Sequence, residues 1–277
     1  MREKQKARWV MAYLRMHFGL WSHSLRTVVL GVFFLCVAFI AARSPQLTLQ
    51  QYQYEAYHGE LMFIVIFQGF NIHTSALALL LMLSEIPRRV SYQEFALLRT
   101  SRKKWLLSLI MFCLCLTVLM MLTLLLFAVM CTRSYASPGS GWSDLARLAA
   151  DPYYIYEPQL IPEYIRVLTP LHASLVAAVV VFLFYWTAAL IILMFSLYGT
   201  PHAGVLLCAA LLFMDITVLY ESLPFTLPIP THYATLQAVG LQRVSSVCSA
   251  YLVIDTVLIV LMALRARRMD MQFSGKE

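Results

Sequence analysis

Charge is what this chain has least of. Only 13% of its 277 residues are Asp, Glu, Lys or Arg, while 61% are hydrophobic. A soluble domain carries about twice that share of charge. The deficit excludes a disordered chain and a free-standing soluble enzyme. Six cysteines (Cys36, Cys113, Cys115, Cys131, Cys208, Cys248) all fall within or at the end of apolar runs. They read as small buried hydrophobes, and neither a disulfide framework nor a metal site is indicated. The catalytic signatures are missing too. There is no GxxxxGK[ST] phosphate loop, no HExxH zinc helix, no GxSxG nucleophile elbow and no closely spaced acidic pair to hold magnesium. The chain is therefore not expected to be an enzyme or to bind a cofactor itself.

What the sequence has in quantity is long apolar blocks. They run over Thr27–Ala42, Leu61–Ser84, Trp105–Cys131, Pro170–Tyr198, Ala203–Tyr220 and Val244–Leu264. A membrane-crossing helix needs about 20 such residues, and backbone in lipid must pair within its own segment. The blocks predict an all-α polytopic membrane protein with six transmembrane helices. It is one domain over residues 1–277, with spans 1–3 in 27–131, an extracytoplasmic segment at 132–168, spans 4–6 in 170–264 and a tail at 265–277. Only Gly199-Thr200-Pro201-His202 separates the fourth block from the fifth.

The basic residues orient the chain. Sixteen of the 21 Lys and Arg residues lie in the N-terminal segment, the loop between spans two and three, and the C-terminal tail. The remaining five are Arg43, Arg133, Arg147, Arg166 and Arg243. This asymmetry puts both termini in the cytoplasm of a multi-pass protein of the bacterial cell membrane. The net charge of +7 is thereby an orientation signal, and no nucleic-acid partner is expected. The first 24 residues are too charged for a cleavable signal peptide.

Four segments outside the spans carry pattern. Over residues 4–24, Lys4, Arg8, Arg15 and Ser22 share one helical face, and Val10, Tyr13, Leu14, His17, Leu20 and Trp21 the opposite one. Such a helix lies in the membrane interface as an elbow before span one. In the loop 85–104, Ser91 and Glu94 make a capping box for a short helix bearing Phe95 and Leu98, closed by Arg102, Lys103 and Lys104. That is more structure than a tether requires, and it reads as a docking surface. The segment 132–168 combines a Ser-, Gly- and Pro-rich loop, a helix capped by Ser143, and Tyr153, Tyr154, Tyr156 and Tyr164 suited to an interfacial aromatic belt. The Pro-rich segment 221–243 is apolar enough to dip back into the membrane.

Polar residues within the spans are candidate pathway groups. Asp215 and Asp255 are acids inside spans five and six, each followed by a threonine (Thr217, Thr256) able to bond it. A buried acid marks a pathway or a paired structural site. In span two, Gln68, Asn71 and Ser75 form one stripe at i, i+3 and i+7, with His73 and Thr74 beside them. Gln68, Asn71 and His73 are the lining candidates, with Asp215 and Asp255 behind them.

The elbow, six spans with both ends inside, and a capped helix between spans two and three together resemble the type 2 ABC exporter permeases. The local match is Tyr92-Gln93-Glu94-Phe95-Ala96-Leu97-Leu98-Arg99-Thr100-Ser101-Arg102, followed by Trp105. It is similar to the family's cytoplasmic coupling helix, which sits in a cleft of the ATPase subunit. The resemblance implies that Arg88, Tyr92, Glu94, Leu98 and Arg99 contact a separate nucleotide-binding ATPase, where ATP and Mg would be held. It also implies a second permease chain, as a homodimer or heterodimer, surrounding lipid, and a drug, lipid, peptide or polysaccharide as cargo. The family often elaborates the connection between spans five and six, whereas here the longer outer segment joins spans three and four. Two readings of other classes stand beside this one. One is an ion-gradient-driven transporter or channel using Asp215 and Asp255; the other is a structural or sensory subunit of a larger assembly.

Overall fold

The computed structural model describes residues 11–12, 14–19, 22, 25–52, 57–67, 69–84, 102–133, 139, 141–143, 162–198, 200–217 and 244–268. Every element of that portion is helical: α1 (Leu25–Tyr52), α2 (His58–Phe67), α3 (Gly69–Leu83), α4 (Arg102–Thr132), α5 (Pro162–Val167), α6 (Pro170–Leu197), α7 (Pro201–Thr217) and α8 (Val244–Arg268). Three helices are long and apolar enough to cross a membrane, over Arg102–Met130, Pro170–Leu197 and Val244–Ala266. Shorter apolar helical stretches lie at Thr27–Ile40, Asn71–Leu83 and His202–Leu212. This is a membrane-embedded helical protein.

The apolar blocks became helices, with instructive differences at their edges. The first continues to Tyr52 rather than ending near Ala42. A single Pro45 removes one N–H, and the Leu and Gln residues beyond it are good helix formers. Two described helices, α2 and α3, cover the second block on either side of residue 68, which lies outside the described residues. Asn71 in α3 gives its side-chain amide to the Val65 carbonyl of α2, six residues back, at 3.1 Å. The fourth starts at Pro170, where its apolar block begins. Thr169 is extended (φ −73°, ψ 155°), its hydroxyl oxygen accepts from the His172 N–H, and Pro170 occupies the first turn, where its missing N–H costs nothing.

α6 is the centre of the bundle, packing against α2, α3, α4, α7 and α8. Ala173, Ala177, Ala188 and Ala189 on it are all buried, and small side chains let neighbouring backbones approach closely. α1 packs on α3 and α4, α7 bridges α6 and α3, and α8 lies along α6 and α4. The α6–α7 hairpin is tight. A β carbon placed on Gly204 would sit 2.8 Å from Phe195 Cβ and 3.1 Å from the Ile192 Cα. Outward faces are apolar, as lipid demands: Val28, Val32 and Ile40 on α1, Leu119, Leu122 and Leu126 on α4, Leu252, Val253 and Val260 on α8.

Candidate functional site

The polar side chains of the described bundle gather at three levels. In the middle, Asp255 of α8 is buried, and its Oδ1 accepts a hydrogen bond from the Thr187 hydroxyl of α6 at 2.7 Å. Its other oxygen, Oδ2, is buried and has no hydrogen-bond partner among the described residues. Thr256, next in sequence, donates instead to the Leu252 carbonyl of its own helix. A second cross-link joins α6 to α3 close by, from the Tyr185 hydroxyl to the Ile72 carbonyl at 3.2 Å. Thr187 also borders a cavity of about 20 Å³ between α3, α6 and α7, with Ala76, Phe184, Cys208 and Leu212. That is room for about one water, but its walls are almost wholly apolar, so it is a packing gap rather than a hydrated chamber.

At one end of the bundle, Glu60 in the first turn of α2 is fully buried. Both its oxygens are taken by one residue: Ser143 donates its hydroxyl to Oε1 at 2.8 Å and its backbone N–H to Oε2 at 3.1 Å. Trp142 beside it donates its indole N–H to the Leu168 carbonyl at 2.7 Å and meets Phe63 edge-on, ring centres 5.6 Å apart. The Ser174 hydroxyl of α6 lies 2.9 Å from the Gly59 carbonyl and 2.8 Å from the Pro170 carbonyl. A β carbon on Gly59 would stand 3.1 Å from Pro170 Cβ, so glycine is what lets α2 and α6 meet here.

At the opposite end of α4, residues 14–19 are helical and pack on that helix. Leu14 and His17 are buried, as the apolar side of the 4–24 pattern predicts. His17 Nε2 is 3.3 Å from the Ser108 hydroxyl, and Phe18 meets Phe112 edge-on at 4.7 Å. Burial pushes the His17 imidazole down to about 4 from its ordinary 6.5, which keeps it neutral.

Of the lining candidates, Asn71 and Asp255 are buried and His73 is half-buried; Ser75, on the stripe with Asn71, is buried too. Asp215 falls in α7, but its side chain lies outside the described residues, as does Gln68. Arg88, Tyr92, Glu94, Leu98 and Arg99 also lie outside them, along with the segment 221–243. The geometry adds three residues that sequence reasoning passed over. Glu60 stands just before an apolar run and resembles an ordinary solvated boundary acid. Thr187 and Tyr185 sit inside an apolar block with no periodic signal. For Glu60, a lone acid between glycine and twenty-odd apolar residues was the available hint. Among the described residues, no three His, Cys, Asp or Glu side chains come together as a metal site would require.

Fold and polar clusters thus define a class, the helical membrane proteins, in which buried polar groups tie helix to helix. Comparison with protein-family models, curated proteins and solved structures finds no match.

Proposed function

We propose that this chain is the transmembrane permease subunit of an ATP-binding cassette exporter. It acts with a separate ATPase subunit, which binds ATP and Mg, and with a second permease chain. The observation that carries the reading is a juxtaposition at the start of α4. The amphipathic N-terminal residues pack there, on Ser108 and Phe112. That is within about three turns of the point where the 88–102 segment, with its Glu94, Leu98 and Arg99, enters the helix. Force applied to that segment by a closing ATPase would pass directly into α4 and the elbow docked on it.

In this reading α1, the α2–α3 pair, α4, α6, α7 and α8 are six spans, and both termini are cytoplasmic in a bacterial inner membrane. The lysine and arginine distribution supports that orientation. It puts the Glu60–Ser143 end outside and the His17–Ser108 end inside. The pathway then alternates between inward and outward access as the ATPase subunits close and open. The apolar, aromatic character of the chain favours an amphipathic cargo, a peptide or lipid, over a sugar.

Purification of the tagged protein from its native membrane tests this. Wild type should bring down a nucleotide-binding subunit, and a Glu94→Arg, Leu98→Asp double substitution should lose it while the membrane protein stays intact. Absence of any ATPase from intact wild type would sink the exporter reading. A second reading, ion-coupled transport through Asp255, is favoured by one observation, the buried oxygen of that carboxylate left without a partner among the described residues. It predicts transport that persists without an ATPase and loses ion coupling in Asp255→Asn.

A further inference from the structure

Asp255 stands on the inward stripe of α8, where Val247, Tyr251, Leu258, Met262 and Ala266 are buried with it. Its side chain is only 4% exposed, shielded from the lipid that meets Leu252, Val253 and Val257 on the same helix. Its Oδ1 accepts from Thr187, and the one hydrogen of that hydroxyl is used in the bond. Its Oδ2 is buried without a hydrogen-bond partner among the described residues. An ionised carboxylate can only accept, and in so apolar a place it needs a positive charge beside it.

The helices packed on α8 bring no such charge to it. They are α6 and α4. α4 has its cations, Arg102, Lys103 and Lys104, in its first turn, and further along Cys113 and Cys115, which carry no positive charge. α6 has His172 in its first turn, fifteen residues from Thr187 and about 22 Å away along the helix. That imidazole is bonded there to Thr169. The other titratable group of α6, Tyr185, gives its hydroxyl to the Ile72 carbonyl of α3. On α8 itself Arg265 lies ten residues beyond Asp255, about 15 Å on, with its guanidinium over the Tyr198 ring.

A metal cation does not suit the place either. α6 and α8 run unbroken through this level, with Thr187 ten residues from the end of α6 and Asp255 eleven from the start of α8. The backbone carbonyls around both are therefore committed to bonds within their own helices. A hard cation takes about six oxygens or more, and membrane sites for such ions draw carbonyls from interrupted helices. Here one carboxyl oxygen is on offer, and a proton needs no more than that.

We propose that Asp255 is a proton-binding site. The neutral acid carries its hydrogen on Oδ2, accepts from Thr187 at Oδ1, and keeps the proton occluded for as long as α8 lies on α6. Release passes the proton to water once the two helices part, and the carboxylate left behind opposes their return. The site stands by itself; its use in coupling rests on the second reading above, to which it gives the ion.

Infrared difference spectroscopy of the purified full-length chain in lipid at pH 7 tests this, because a protonated carboxyl has a C=O band of its own. Aspartate isotope-labelled at its side-chain carboxyl carbon separates the aspartates from the buried Glu60. The band should vanish in Asp255→Asn, whose amide matches the neutral acid in size. It should move to higher frequency in Thr187→Val, which removes the bond to the carbonyl oxygen, and that shift assigns the band even where Asp255→Asn fails to fold. In heavy water the band should exchange only slowly, and replacing sodium by choline should leave it unchanged. Absence of the band from wild type overturns the proposal, and so does a band unmoved by Thr187→Val, which would belong to another aspartate. A band that appears only when sodium is withdrawn also overturns it, while leaving ion coupling to a metal cation in place. A sodium-insensitive band in a protein whose transport ignores a pH gradient keeps the proton site and removes the ion-coupled reading.

Discussion

Thr187→Val replaces a hydroxyl by a methyl of nearly the same size, at a buried position of α6 that faces the buried Asp255 of α8. The change deletes one interaction, the 2.7 Å bond to Asp255 that ties α6 to α8. How much stability follows it depends on the state of the carboxyl. A hydrogen bond to an ionised group contributes about 1.5–3 kcal/mol. Bonds between neutral groups of membrane helices contribute less, about 0.6 kcal/mol on average and about 1.7 kcal/mol at most. The buried Oδ2 has no partner among the described residues, and an ionised carboxylate in that position would be very costly. The smaller range is therefore the expected one, with Asp255 neutral. A double-mutant cycle of Thr187→Val and Asp255→Ala, followed by denaturing-detergent titration in mixed micelles, gives the coupling free of the methyl and cavity terms. We expect a coupling of about 1 kcal/mol. A value near 3 kcal/mol would mean a charged Asp255 and overturn the assignment of its state. A value of zero would refute the reasoning entirely, since the bond would not be holding the two helices.

Two further outcomes follow from the packing. Gly204→Ala should destabilise the bundle by about 1–3 kcal/mol, because the new methyl would press on Phe195 and Ile192. In an unpacked helix the same change would stabilise by up to about 1 kcal/mol, so the sign of the shift in unfolding midpoint checks the α6–α7 contact. His17 should make stability fall with acidification. Its folded value of about 4 lies below the ordinary 6.5, so the unfolded chain binds the extra proton as pH drops through that window. Between pH 7 and pH 5 the loss from this group should be about 2 kcal/mol. His17→Phe should remove that part of the slope, and an unchanged slope in the variant would show that His17 is not buried neutral against Ser108.

Much of the fold was legible because lipid permits so few backbone solutions. An apolar run must be a helix, and the fourth block begins at Pro170 as its helix does. The departures came where local signals compete. Arg43 and Pro45 look like a terminus, yet the chain beyond them still prefers helix. Gln68, Asn71 and Ser75 look like one lining stripe, yet Asn71 turns its amide to the Val65 carbonyl six residues back. The polar clusters were half legible. Asp255 announces itself as an acid among hydrophobes, but its donor stands 68 residues away, while the adjacent Thr256 bonds its own helix. Glu60 was silent for the same reason, since Ser143 is 83 residues distant and looks like a helix cap. A single sequence shows which residues are costly to bury; it does not show which partner a packed bundle will supply.

The central place of α6 has a consequence for how this chain can change over generations. Over its most apolar stretch 61% of α6 is buried, against 28% for α8. Most substitutions in α6 disturb several neighbours at once, so drift there should be confined to coordinated pairs, with small residues kept small at Ala173, Ala177 and Ala189. The outward side of α8 answers only to the membrane, and leucine, valine, isoleucine and phenylalanine should exchange freely at Leu252, Val253, Val257 and Val260. Diverged copies of this protein should therefore be recognisable by the inward face of one helix long after the outer faces have lost all likeness.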